Sequence, residues 1–143
     1  MLIGQGMPMS GEIDLDKLIG SMQPILSEQE YVFASLEKDS PVSITELAPL
    51  GTFYEKEGLT VIVSKTNADV SGLCYQGLFQ CITLNVHSSL DAVGLTAAVS
   101  TALTRQNISA NVVAAYYHDH IFVPIAKASQ ALTCLQKLAS DCQ

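Results

Sequence analysis

The sequence predicts an α+β fold, an antiparallel sheet with helices on one face, in a duplicated split-βαβ arrangement. Three observations predict it. Strand-like runs alternate with helical ones, in the order β-α-β-β-α through the second half and roughly α-β-(β)-β-α through the first. The chain of 143 residues has the length of one ordinary domain. With 48% hydrophobic and only 15% charged residues it has ample material for a core, and too little charge for bulk disorder.

The elements follow in order. Asp14 caps a short helix over residues 11–20, whose Leu15, Leu18, Ile19 and Met22 fall at helical spacing before Pro24 stops it. Tyr31 to Leu36 is a strand, then a polar stretch with Pro41 and Pro49 leads to extended chain over residues 51–57. Gly58 turns into the strand Leu59 to Val63, and Thr66-x-x-Asp69 is a capping box for a short helix that Gly72 ends. Leu78 to Val86 alternates as a strand. Ser88-x-x-Asp91 then caps a helix with Leu95, Ala98, Val99, Ala102 and Leu103 as its buried stripe, stopping near Asn107. Residues 110–117 and 121–125 are strands joined tightly through His118-Asp119-His120, where Asp suits a turn. Ala128, Ala131, Leu132, Leu135, Leu138 and Ala139 define the last helix. A faint internal echo sets Val61 to Ala68 against Val123 to Gln130, each a strand, a small residue and a Lys before a helix.

Charge excludes some partners. The net charge is −7, all of it in residues 1–73, while residues 74–143 balance three acids against three bases. Seven basic residues scattered singly make no phosphate-binding face, so nucleic acid is not expected. No apolar run reaches the roughly 18 residues of a membrane span, and residues 1–10 show no export signal. The expected location is cytoplasmic, with Cys74, Cys81, Cys134 and Cys142 as reduced thiols. A second half so poor in charge has a face covered by the acidic half, by another copy, or by both.

The stretch from Ile82 to Ile125 resembles an ACT domain, a small regulatory module attached to enzymes of amino-acid metabolism. Asp91-Ala92-Val93-Gly94 follows the first strand, and Ile108-Ser109-Ala110-Asn111 enters the second. ACT domains show Asp-x-Pro-Gly at that first turn and often Gly before the Ile; here Val93 and Asn107 stand in those places. The whole chain is similar to stand-alone bacterial ACT proteins that have no assigned activity. The resemblance implies a ferredoxin-like fold in tandem, one compact unit with an acidic ACT-like half at residues 12–73 and an ACT domain at 78–143. It also implies a ligand site where the first strand meets the first helix.

The residues at that junction agree. His87, Ser88, Ser89, Leu90 and Asp91 lead into a helix N-terminus, whose unpaired N–H groups favour a carboxylate. Gly94 allows close approach, and Asn111 and Val112 would line the neighbouring strand. Asp91 would repel a second anion. The plainer account is that Ser88 and Asp91 only cap the helix and Gly94 eases packing. Other chemistry has weaker signals. His118, His120 and His87 have the types for a zinc-like site, unless a turn points the rings apart. Glu55 and Glu57 would share a strand face, as an acid/base pair, as a hold for an amino group, or as a solvated hairpin edge. Of Tyr116 and Tyr117, one should be core and one could line an interface. No nucleophile motif or P-loop is present. The expectation is a non-enzymatic, metal- and cofactor-free module that binds a small metabolite, an amino acid above all, and forms a homo-oligomer, a dimer first. The alternative is a self-associating interaction domain without a ligand.

Overall fold

The computed structural model describes residues 14–86 and 94–143. The chain divides into two compact units, one of residues 28–80 and one made of residues up to 27 together with 81–143. The first of these is an insertion in the second.

The inserted unit holds most of β1 (Pro24–Leu36), α2 (Ile44–Leu47), β2 (Gly51–Glu55), β3 (Gly58–Ser64) and α3 (Lys65–Val70). β3 lies between β2 and β1 and is antiparallel to both, with Leu36 opposite Leu59 and Glu55 opposite Gly58. Val32, Ala34, Leu36, Val61 and Val63 alternate inward beneath Leu47 of α2 and Ala68 of α3, so helices cover one face. β1 starts at Pro24, well before Tyr31, because Glu28, Gln29 and Glu30 are exposed and carry no apolar alternation to reveal it. α2 replaces part of the expected polar stretch. Its Ser43 cap accepts from the Glu46 N–H at 3.2 Å. α3 is capped by Ser64 and not by Thr66, since the helix begins directly at the end of β3.

The discontinuous unit holds α1 (Leu15–Ser21), β4 (Phe79–Leu84, from Cys81 on), α4 (Leu95–Arg105), β5 (Asn111–Ala114), β6 (Asp119–Pro124) and α5 (Ala128–Asp141). β6 lies between β4 and the edge strand β5. The first residues of β1 run along β4, where the Asn85 N–H donates to the Gln23 carbonyl and the Cys81 N–H to Ser27 Oγ, both at 3.0 Å. Ile82, Leu84, Ile121 and Val123 face Val99 and Leu103 of α4 and Ala131, Leu135 and Ala139 of α5. Asp14 caps α1 as the sequence predicts. A linear split at 12–73 and 78–143 leaves α1 with the acidic half, whereas its Leu18, Ile19 and Met22 are buried in the core of the discontinuous unit. α4 closes at Asn107, which takes φ 59° so that the Ile108 N–H reaches the Leu103 carbonyl at 3.0 Å.

The two units repeat one pattern, with the register of the echo two residues away from the expected one. Buried Val61-Ile62-Val63 correspond to buried Ile121-Phe122-Val123, Ser64 to Pro124, and buried Ala68 to buried Ala128. A 3-10 turn over Ile125–Lys127 replaces the first turn of α3, and that substitution misleads an alignment made on lysines.

Candidate functional site

His87, Ser88, Ser89, Leu90 and Asp91 lie outside the described residues, but the frame on either side of them is defined. α4 begins at Leu95 and not just after Ser88, so Ser88-x-x-Asp91 is not its capping box. Its N-cap is Gly94, whose φ of 102° cannot continue a helix from the preceding chain. Gly94 brings no side-chain cap, and the first turn carries no acid. A Cβ on Gly94 would lie 3.1 Å from Leu15 Cδ2, so α1 backs this residue. Asn111 and Val112 are on β5, and the strand beside β4 is β6. Asn111 donates its side-chain amide to the Phe122 carbonyl at 3.4 Å, and Val112 packs on the core.

The residues that do flank the junction are His118, Asp119 and His120. Asp119 and His120 do not form the turn. The turn is Ala115 to His118, closed by the Ala115 N–H on the His118 carbonyl at 3.1 Å, while Asp119 and His120 open β6. The His118 ring nitrogen Nδ1 lies 3.4 Å from the Val86 carbonyl, just beyond the end of β4. Asp119 shares the helix side of β6 with Ile121 and Val123, and Thr96, in the first turn of α4, is near enough for its hydroxyl to favour the ionised carboxylate. Burial pushes this carboxyl above its ordinary value, with the Thr96 hydroxyl and both histidines opposing the shift. His120 is on the other face, its Nδ1 2.9 Å from Thr83 Oγ1. Burial, then the nearby His118, holds its imidazole below the ordinary value, and Asp119 opposes this. Among the described residues no three His, Cys, Asp or Glu side chains gather as metal ligands. Tyr116 and Tyr117 are both exposed at the hairpin tip, neither of them core, and they stack edge to face at 4.9 Å. The strand ends before them.

The inserted unit contains a cavity of about 290 Å³ at the corresponding strand-to-helix junction, past the end of β1. Leu36, Val42, Ile44 and Leu59 give it apolar walls, and Lys38 and Glu55 are charged groups on its lining. The β2–β3 hairpin forms one side. Gly58 makes that possible, because a Cβ there would lie 2.7 Å from the Leu36 carbonyl oxygen. Glu55 closes β2 and accepts from the Thr60 hydroxyl, whereas Glu57 sits in the two-residue turn, so the two do not share a strand face. This cavity escaped the sequence reading. The signal available was Ser43-x-x-Glu46, a capping box marking a helix where only polar chain was expected. The four cysteines are free, and burial raises the thiols of Cys81 and Cys134. No helix among the described residues is long and apolar enough to cross a membrane.

A family model described as ACT domain matches residues 10–80, and a second ACT-domain model matches residues 79–137. This chain belongs to the ACT-domain family. The same fold also appears in solved structures. A Vibrio cholerae protein of unknown function, described as a possible transport protein, is 46% identical over 87% of this chain and 95% of that one, with a TM-score of 0.77. A protein from Agrobacterium tumefaciens matches at 14% identity over 82% of this chain and 89% of that one, with a TM-score of 0.68. The ligand-free regulatory subunit of aspartate kinase from Thermus thermophilus matches at 9% identity over 80% and 95%, with a TM-score of 0.57. The last two share the fold. No curated protein matches the chain. ACT domains are regulatory modules, and the ferredoxin-like α+β architecture with antiparallel pairing is theirs.

Proposed function

We propose that this ACT protein is a non-catalytic, cytoplasmic module that binds an amino acid where its sheets hand over to helices, and signals occupancy to a partner. The observation that carries this reading is the cavity of the inserted unit. At about 290 Å³ it falls at the foot of the ~300–1,000 Å³ range of drug-sized pockets, which suits a small metabolite. Leu36, Val42 and Leu59 offer an apolar wall for a side chain, Lys38 a cation for a carboxylate and Glu55 an anion for an ammonium group. The fold of the aspartate kinase regulatory subunit is consistent with such a role.

The equivalent junction of the other unit, His87 to Asp91 with Gly94, is proposed as a second ligand loop. The start of α4, an eleven-residue helix with no side-chain cap and no acid in its first turn, supports an anion there. His118 and Asp119, at the entry to β6, join that proposal in place of Asn111 and Val112, which a whole strand separates from β4.

A thermal-shift panel of the full chain against the twenty amino acids tests the reading. A ligand at about 100 times its Kd adds ~2.7 kcal/mol, a rise of a few degrees in Tm. Lys38→Ala should remove the response and leave the unliganded Tm in place, since Lys38 is exposed. A flat panel overturns the reading.

A further inference from the structure

The cavity of the inserted unit divides its chemistry between wall and rim. Leu36, Val42, Ile44 and Leu59 form the walls, and Val42 and Leu59 are backed by the core of the unit. The charged groups sit on exposed chain, Glu37 and Lys38 just past the end of β1 and Glu55 at the end of β2. Glu55 accepts from the Thr60 hydroxyl, which fixes its carboxylate on that side. Of the unit's three lysines, Lys38 is on the lining, Lys65 pairs with Asp69 at 2.6 Å and Lys56 is in the hairpin turn. Eight acids stand against these three bases in residues 28–80.

We propose that this cavity selects amino acids with an apolar side chain, of the size of leucine or methionine, and rejects those with charged or hydroxyl side chains. The proposal rests on the amino-acid reading above and narrows it to one class. A carboxylate side chain meets a unit with an excess of acids and gains nothing from Leu36 or Leu59. An ammonium side chain finds a favourable field but must leave water for aliphatic walls. A side chain as small as that of serine leaves those walls uncovered. An alkyl chain gains by covering them, at about fourfold in affinity for each methylene fully buried. Lys38 and Glu55, on the rim, then serve the carboxylate and ammonium groups that every amino acid carries, and the walls alone choose among them.

Isothermal titration of the full chain with alanine, 2-aminobutyrate, norvaline and norleucine tests the proposal, with aspartate, lysine and serine as comparators. Affinity should rise about two- to fourfold with each methylene along the first series, and all three comparators should bind more weakly than norleucine. Ile44→Asp puts a carboxylate in the wall at the first position of α2, where an acid suits the helix, and Val42→Thr keeps the shape and adds a hydroxyl. Norleucine affinity should fall about tenfold in the first and about threefold in the second, with the circular-dichroism melt retained. If Ile44→Asp fails to fold, Val42→Thr decides. A series that is flat while some amino acid binds, or a comparator that binds more tightly than norleucine, overturns the apolar selection and leaves the amino-acid reading standing. Norleucine binding that survives a folded wall variant overturns it too, by placing the ligand elsewhere. Binding by none of the seven, together with a flat panel of the twenty amino acids, removes both.

Discussion

Asn67 donates its side-chain amide to the Leu47 carbonyl at 2.9 Å across twenty residues of sequence. That carbonyl belongs to the last residue of α2, a four-residue helix with little stability of its own. α3 thus holds α2 in place, and α2 carries Ile44 onto the wall of the cavity. Asn67→Ala should cost about 1–2 kcal/mol in urea unfolding. Amide exchange should quicken first in residues 43–48, and uniform quickening across the chain would contradict this.

Gly94 is strained for any other residue and crowded by Leu15. Gly94→Ala should destabilise by about 1–3 kcal/mol. In a Leu15→Ala background the contact disappears and the backbone penalty stays, so the loss should shrink without vanishing. Urea denaturation of the four chains of this double-mutant cycle measures the coupling.

Gly58→Ala places a methyl group against the Leu36 carbonyl, which is backbone and cannot swing aside. The hairpin must lift from the end of β1, at a cost of about 1–3 kcal/mol. Calorimetry should show the lowered Tm. Gly72→Ala is the comparison, with open space around the added carbon and only its φ of 69° to oppose it, so its loss should be the smaller.

His120 should make stability fall with mild acid. Its folded pKa lies below the ordinary 6.5, so the unfolded chain binds the proton more readily. The contribution is present above about pH 6.5 and is lost as pH falls towards the folded value. Asp119 has the opposite sign, its raised pKa favouring the folded chain as pH drops towards the usual carboxylate range. Denaturant midpoints at pH 7.5 and 5.5 should therefore differ less in His120→Gln than in the wild type.

Apolar spacing made α1, α4 and α5 legible, because Leu18, Leu95, Val99, Leu103 and Leu135 bury one stripe each. The ACT resemblance was legible from Asp91 to Asn111 even with Val93 and Asn107 out of pattern. What did not show was set by long-range pairing. Strand order put β6 and not β5 beside β4, and nothing local in Asn111 or His118 announces that. The hairpin turn moved from His118–His120 to Ala115–His118, where the Ala115 N–H closes on the His118 carbonyl and leaves Asp119 and His120 in β6. The cavity went unseen because its walls come from separate pieces of chain, the end of β1, the loop before α2, Ile44 and the β2–β3 hairpin, which only folding brings together.

The place of α1 has a consequence for synthesis on the ribosome. Residues 28–80 emerge as one uninterrupted stretch, whereas Leu18, Ile19 and Met22 must wait for α5 to complete their core. Gln143 then bonds the Gly20 carbonyl at 3.0 Å, a closure between residues 123 positions apart. Until that moment an apolar helix stands uncovered on the nascent chain. Slow decoding of the codons for α5 should therefore raise its capture by chaperones.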